Sequence, residues 1–308
     1  MSEIKLPEVE LNIYTPREPV EVPVVENRIC SKASSPNYVR HMTFDIGGTE
    51  LENHVRVGQS IGILPPGKNE KGRDYKLRLY SVSSPTEGEG GESNLVSTTV
   101  KRTIEELDDN SLYLGVCSNY LADLSPGDTV KMTGPSGRRF LLPENAHDFN
   151  YIFFATGTGI APYRGMIKEL IDAGFENEIV LVFGCPYRTD LLYPNYFESL
   201  DEEKDNFHYL PRVSREDRRE DGSKKYVQTA LWDNSELLEP LLEKENTLMY
   251  ICGLKGMERG IYTALAQKGL HQYLDLREPA AGKKPTEWDD RDMKRYVKPS
   301  PRTFVEVY

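Results

Sequence analysis

The chain has 308 residues, enough for two domains with separate cores, and 38% of them are hydrophobic. A formal net charge of −11 argues against a nucleic-acid binder held by simple electrostatics, and no apolar run approaches the roughly 20 residues of a membrane-spanning helix. Cys30, Cys117, Cys185 and Cys252 include no Cys-x-x-Cys pair and the five histidines show no ligand spacing, so no metal, iron–sulfur cluster or disulfide framework is expected.

Met1-Ser2-Glu3-Ile4-Lys5 opens the chain without an apolar stretch behind it. It reads as neither a secretory signal nor a transit peptide, and the expected location is the cytoplasm. Residues 20–140 read as β-rich, with short apolar runs at 55–57, 61–64, 94–100, 111–116 and 129–133 punctuated by Gly and Pro. Short strands with frequent turn signals predict an antiparallel barrel or sandwich. Within an extended segment at 75–83 stands Arg78-Leu79-Tyr80-Ser81. A guanidinium that can fork onto phosphate oxygens and an aromatic ring two residues on would suit a pyrophosphate beside a flat heterocycle. The Gly/Glu-rich stretch 86–93 reads as a mobile surface loop. Gly115-Val116-Cys117-Ser118-Asn119-Tyr120-Leu121 closes a strand and is expected to open a short helix capped by Ser118, whose N-terminus is a place for an anion.

The texture changes at 142–150. Tyr151-Ile152-Phe153-Phe154-Ala155 is the continuous apolar run of a buried parallel strand. Ala155-Thr156-Gly157-Thr158-Gly159-Ile160-Ala161-Pro162 then turns into an amphipathic helix, with Pro162 placed in its first turn. Further strands are predicted at 178–183, 207–214 and 248–253, and a helix at 256–268. Strands alternating with helices mean a parallel sheet covered on both faces. Val213-Ser214-Arg215 ends one strand and Lys224, Tyr226 and Gln228 follow an acidic loop, a set able to hold a 2′-phosphate and stack on adenine. Cys252-Gly253 ends the last long strand, where ligands of α/β sheets bind. Residues 277–301, rich in Pro and charge, read as a surface loop in preference to a segment that touches a partner, and 303–308 alternate as a terminal strand ending on Tyr308.

Taken together in this order, these segments resemble the plant-type ferredoxin–NADP reductase family. The motifs that carry the likeness are Arg78-Leu79-Tyr80-Ser81, Gly115-Val116-Cys117-Ser118, Gly157-Thr158-Gly159-Ile160-Ala161-Pro162, Ser214-Arg215, Lys224-x-Tyr226-x-Gln228, Cys252-Gly253-Leu254-Lys255-Gly256-Met257-Glu258 and Val305-Glu306-Val307-Tyr308. The resemblance implies a two-domain β plus α/β fold, an antiparallel FAD-binding β-barrel over 1–145 followed by a Rossmann-like parallel-sheet NADP-binding domain over 146–308. It implies that Arg78 and Ser118 hold the FAD pyrophosphate, that Tyr80 and Tyr308 cover the two faces of the isoalloxazine, and that Leu79, Thr99, Val100, Lys101, Gly115, Val116, Cys117 and Thr158 complete the FAD contacts. NADP would lie along Thr158, Cys185, Pro186, Gly253, Leu254 and Glu306, with Ser214, Arg215 and Lys224 on its 2′-phosphate and Tyr226 and Gln228 at its adenine.

Ser81, Cys252 and Glu306 resemble the family's catalytic set, with Ser81 at flavin N5 and Tyr308 swinging aside for the nicotinamide. The implied one-electron partner is a ferredoxin or flavodoxin, and the expected state is a monomer without a metal. The alternatives are the reductase component of a multicomponent oxygenase and a non-catalytic flavin-binding assembly protein. One departure stands out: the family carries an aromatic a few residues after its Lys-Arg pair, stacked on the FAD adenine, whereas Lys101-Arg102 is followed here by Thr103-Ile104-Glu105-Glu106.

Overall fold

A computed structural model describes residues 3–308; Met1 and Ser2, the head of the polar N-terminus, lie outside the described residues. The chain divides into two compact units. One is formed by 6–144 and 161–174, and the other by the described residues up to Lys5 with 145–160 and 175–308.

The first unit contains β1 (Val20–Ile29), β2 (Val39–Asp45), β3 (Ser60–Leu64), β4 (Arg78–Ser81), β5 (Leu95–Lys101), a hairpin of β6 (Ile104–Glu106) and β7 (Leu112–Leu114), helix α1 (Val116–Asp123) and β8 (Thr129–Ser136). Six strands pair in the order β4-β3-β8-β1-β2-β5. The two edges meet through a bridge between Val82 and Thr98 and an N–H of Ser83 donating to Ser97 O at 2.8 Å, which closes the sheet as an antiparallel barrel. Alternate residues fill it: Val22 and Val24, Met42 and Phe44, Ile61 and Ile63, Val130 and Met132 are all buried. The run 55–57 is not a strand. It lies in turns ahead of Gly58, whose φ of 86° ends any extended path.

Helix α2 (Ile160–Asp172) joins this unit from Ala161 onward. The second unit is built on five parallel strands, β9 (Asn150–Thr156), β10 (Ile179–Cys185), β11 (Phe207–Val213), β12 (Thr247–Gly253) and β15 (Thr303–Val307), ordered β11-β10-β9-β12-β15. Between them run α3 (Pro194–Glu203), α4 (Ala230–Asp233), α5 (Ser235–Glu243), α6 (Met257–Gln267) and α7 (Asp290–Arg295), with a ribbon of β13 (Leu274–Leu276) and β14 (Val297–Pro299). On one sheet face Ile152, Phe154, Val180, Val182 and Ile251 pack on Leu238, Leu242, Ile261 and Leu265. The other face is aromatic: Tyr250 lies 5.4 Å from Phe153 and stacks on Phe304 at 4.5 Å between ring centres.

Residues 277–301 are not an open loop. Trp288, 2% exposed, donates its indole N–H to Ala280 O at 3.0 Å, and Lys283 pairs with the buried carboxylate of Asp292 at 2.7 Å. Asp289 and Asp292 form a reciprocal cap on α7. The indole supplies the apolar area that anchors this otherwise charged segment to the α4–α6 core. Among the described residues no helix is long and apolar enough to cross a membrane, and no group of three or more His, Cys, Asp or Glu side chains is placed to hold a metal ion.

Candidate functional site

The parallel sheet reverses its strand order between β9 and β12, because β10 and β11 extend to one side and β12 and β15 to the other. Open α/β sheets bind ligands outside the carboxyl ends of the strands at such a point. Here the turn Gly157-Thr158-Gly159 meets Cys252-Gly253. A Cβ at Gly159 would stand 2.2 Å from Cys252 O, and one at Gly253 (φ 149°) 2.2 Å from Thr156 Oγ1, so the two backbones approach only as glycine. Leu254 N–H donates to Thr156 Oγ1 at 3.0 Å, and the Leu254 side chain is exposed.

Tyr308 ends at the same edge. Its N–H donates to Gly253 O (3.1 Å), its own carbonyl accepts from Lys255 N–H (2.9 Å), and its hydroxyl shares a 2.6 Å hydrogen bond with Thr158 Oγ1. The residue is 55% exposed, yet desolvation around the hydroxyl holds its ionisation above the ordinary tyrosine range. Cys252 and Glu306 are register partners on β12 and β15. Burial, and then the Glu306 carboxylate, push the Cys252 thiol well above its usual range, so it stays neutral at physiological pH.

At the ends of β10 and β11 the ladder runs one step further: Ser214 N–H donates to Cys185 O at 2.9 Å and Arg215 N–H to Pro186 O at 3.0 Å. Burial raises the Cys185 thiol to about 12. Arg215 is exposed, and its guanidinium donates to the Tyr187 hydroxyl at 2.8 Å. Lys224 returns to this corner through a bridge with Arg218, and Tyr226 follows, 45% exposed. Gln228 lies in the turn Val227–Thr229 against Gly260 of α6. Thr158, Cys185, Pro186, Ser214, Arg215, Gly253, Leu254, Glu306 and Tyr308 thus all gather at the carboxyl edge of one sheet.

In the barrel unit, Arg78 and Leu79 are exposed while Tyr80 and Ser81 are half-buried. Burial, and then the neighbouring Cys117 thiol, raise the ionisation of Tyr80 above the ordinary tyrosine range. Ser81 O accepts from Thr98 Oγ1 at 2.8 Å, which places β4 beside β5 and its Thr99, Val100 and Lys101. The expected cap is corrected: α1 starts at Val116 with Gly115 as its N-cap, and Ser118 sits in the first turn. Its hydroxyl accepts from Thr103 N–H (3.1 Å) and donates to Gly115 O (3.3 Å). The backbone donors this helix could offer an anion are therefore its first-turn N–H groups, which have no carbonyl one turn back.

Two features escape a reading by spacing. The first is Tyr113. The β6–β7 hairpin pairs Glu105 directly with Tyr113, so the phenol ring, 49% exposed, stands on the same face as Glu105, near where the resemblance implies an aromatic. The signal was the alternation Leu112-Tyr113-Leu114 after a turn through Asn110, whose φ is 62°. The second is a cluster beneath the 86–93 segment, which is anchored at Glu89. Arg164 donates to both Glu89 carboxylate oxygens (2.6 and 2.8 Å) and to Ser83 O (3.0 Å), Ser97 Oγ donates to Glu89 at 2.7 Å, and His41 Nε2 lies 3.8 Å from the same carboxylate. Burial works to raise the Glu89 carboxyl, but the Arg164 bonds and charge dominate and bring it to about 2. Burial, then the Arg164 charge, lower His41 to about 3, leaving a neutral imidazole.

A family model described as "Oxidoreductase NAD-binding domain" matches residues 153–263. The chain is 37% identical to a ferredoxin–NADP reductase of Spirulina sp, over 98% of this chain and 99% of the relative. It is also 37% identical to the chloroplastic leaf isozyme 1 of ferredoxin–NADP reductase from Arabidopsis thaliana, over 97% of this chain and 80% of that one. Among solved structures it superposes on a variant of the ferredoxin-NADP+ reductase from Plasmodium falciparum in complex with 2'P-AMP, with a TM-score of 0.71, 25% identity and coverage of 97% and 99%.

Proposed function

From the premise that the chain belongs to the ferredoxin–NADP reductase family, we propose an FAD-dependent enzyme that exchanges hydride with NADP(H) and single electrons with ferredoxin. The observation that carries the reading is the backbone-to-backbone meeting of Gly159 and Gly253 where the strand order reverses, with Cys252, Glu306 and Tyr308 on its rim.

The residues fit both nucleotides. The barrel unit offers an exposed guanidinium on Arg78, the first-turn N–H groups of α1 at Val116, Cys117 and Ser118, and exposed apolar surface on Leu79, Tyr113 and Val116. A pyrophosphate with two flat ring systems needs such donors and such surface. Arg78 and the α1 N-terminus would take the pyrophosphate, Tyr80 the isoalloxazine face, and Thr99, Val100, Lys101 and Gly115 the intervening backbone contacts. Tyr113, in place of residue 105, would take the adenine. When bound, FAD supplies the capacity to accept two electrons as a hydride and release them singly.

Ser81 contributes a hydroxyl able to hydrogen-bond the reducible ring edge. Cys252, kept neutral, shapes the nicotinamide position without adding charge, and Glu306 contributes the ionisable group beside it. Tyr308 is displaceable, since its side chain is tethered by a hydroxyl contact worth about 1 kcal/mol net. Ser214, Arg215 and Lys224 bind the 2′-phosphate, Tyr226 and Gln228 the adenine, and Cys185, Pro186, Thr158 and Leu254 the chain between. Flavodoxin serves as a second carrier, and the enzyme works as a monomer in the cytoplasm.

The test is anaerobic addition of NADPH to the purified yellow holoprotein, followed by oxidised ferredoxin. Bleaching by NADPH and recovery on adding ferredoxin are expected; an absorbance unmoved by NADPH refutes the reading.

A further inference from the structure

The corner where β10 and β11 end holds several cations, and the structure treats them differently. The Arg188 guanidinium pairs with Asp217 at 2.5 Å, while its backbone N–H donates to Glu216 at 2.7 Å. Arg219 pairs with Asp233 at 2.8 Å, and Asp233 in turn accepts from Thr229 Oγ1 at 3.1 Å. Both charges are cancelled by carboxylates. Arg215 is held by something neutral. Its guanidinium carbon lies 5.3 Å from the centre of the Tyr187 ring, and one of its N–H groups donates to the phenol oxygen at 2.8 Å. Its backbone is fixed at the same place, because Arg215 N–H donates to Pro186 O at 3.0 Å, one residue before Tyr187.

A phenol can place a guanidinium without neutralising it. That hydrogen bond uses one of five N–H donors and leaves the forked face for an anion. An exposed arginine otherwise has to be immobilised when its ligand binds, whereas one already hydrogen-bonded at the edge of an aromatic ring has lost part of that freedom on folding. We infer that Tyr187 is a positioning residue that presets Arg215 for a phosphomonoester and thereby sets the preference for the 2′-phosphorylated dinucleotide; the inference rests on the proposed binding of NADP(H) at this sheet edge. Tyr187 is itself half-buried, carried rigidly two residues past the end of a central strand, so the preset is transmitted from the sheet rather than from the acidic loop.

The experiment titrates holoenzyme carrying Tyr187→Leu, and separately Tyr187→Phe, with 2'P-AMP and with AMP by calorimetry. Tyr187→Leu is expected to weaken 2'P-AMP by about three- to ten-fold, and Tyr187→Phe, which keeps the ring, by about two-fold. AMP affinity should be unchanged in both, and the KM for NADPH should rise by the same factor as the 2'P-AMP dissociation constant while that for NADH does not. Equal weakening of both ligands, or unchanged 2'P-AMP binding in both variants, overturns the role of Tyr187; should Tyr187→Leu fail to fold, Tyr187→Phe decides alone. Arg215→Ala in the same titration separates the two levels. If it leaves the preference for 2'P-AMP intact, the 2′-phosphate assignment itself falls. If it abolishes the preference while both Tyr187 variants retain it, only the inference about Tyr187 falls.

Discussion

Replacing Tyr113 with Ala removes the ring that faces outward across from Glu105 on the β6–β7 hairpin. Stacking of a nucleobase on an aromatic side chain is worth ~1–3 kcal/mol by alanine substitution. Half of the Tyr113 surface is already covered, since the residue is 49% exposed, so the lower part of that range applies. A loss of about 1–2 kcal/mol corresponds to an FAD dissociation constant raised by roughly 5- to 30-fold. The fold loses little, because a cross-strand pair on such a ribbon contributes only ~0.2–1 kcal/mol. The assay is titration of apoprotein with FAD, followed by quenching of flavin fluorescence, with FMN as the control. FMN has no adenine, so its affinity should not change. Glu105→Tyr added to Tyr113→Ala should recover FAD binding, because the two positions share a face. Unchanged FAD affinity in Tyr113→Ala, or equal losses for FAD and FMN, would refute the platform.

The remaining predictions concern the buried polar groups and the folded insert. Glu89→Gln leaves the Arg164 guanidinium, 15% exposed, without its carboxylate, and should cost ~3 kcal/mol in urea unfolding; an unchanged midpoint would mean the pair is dispensable. The same cluster sets an acid limb. The folded His41 lies near 3 against an ordinary 6.5, so its contribution is full above pH 6.5 and is lost as pH falls toward 3. Glu89, near 2 against 4.5, contributes fully above pH 4.5 and loses that stability as pH falls toward 2. Stability should therefore decline from pH 6.5 downward in two overlapping stages, and His41→Gln should flatten the stage between 6.5 and 4.5; a parallel decline in that variant would assign it elsewhere. Trp288→Ala should destabilise the protein by ~3–5 kcal/mol, the cost of a large buried cavity, whereas a solvent loop would lose nothing measurable in thermal unfolding.

What could be read from the residues was local. The apolar run 151–155, the glycine turn after it and Cys252-Gly253 declare a strand end and a close backbone approach by composition, and the parallel sheet places them together as expected. The misreadings concern contacts that composition and forward spacing do not report, some local and one distant in sequence. Tyr113 gains its place from hairpin register, and spacing counted forward from Lys101-Arg102 finds only Glu105. Residues 86–93 have the composition of a loose loop, but Glu89 finds Arg164 on α2, 75 residues away. In 277–301 the charges dominate the count while one indole decides the packing. Ser118 has the side chain of a cap, but Gly115 is the residue with the extended backbone at the helix start, so the hydroxyl turned to Thr103 instead.

The membership of α2 bears on how this protein could be taken apart. A chimera or a split version would naturally be cut in the connecting residues near 144/145, with the downstream part handled as a transferable module. Such a cut separates Glu89 from Arg164 and strips residues 161–174 from the neighbours they cluster with. The upstream fragment would keep Glu89 without its guanidinium, and the downstream fragment would carry Arg164 without its carboxylate. The unit of exchange is therefore not a contiguous stretch of chain, and a hybrid built from two relatives should inherit α2 from the same parent as its barrel.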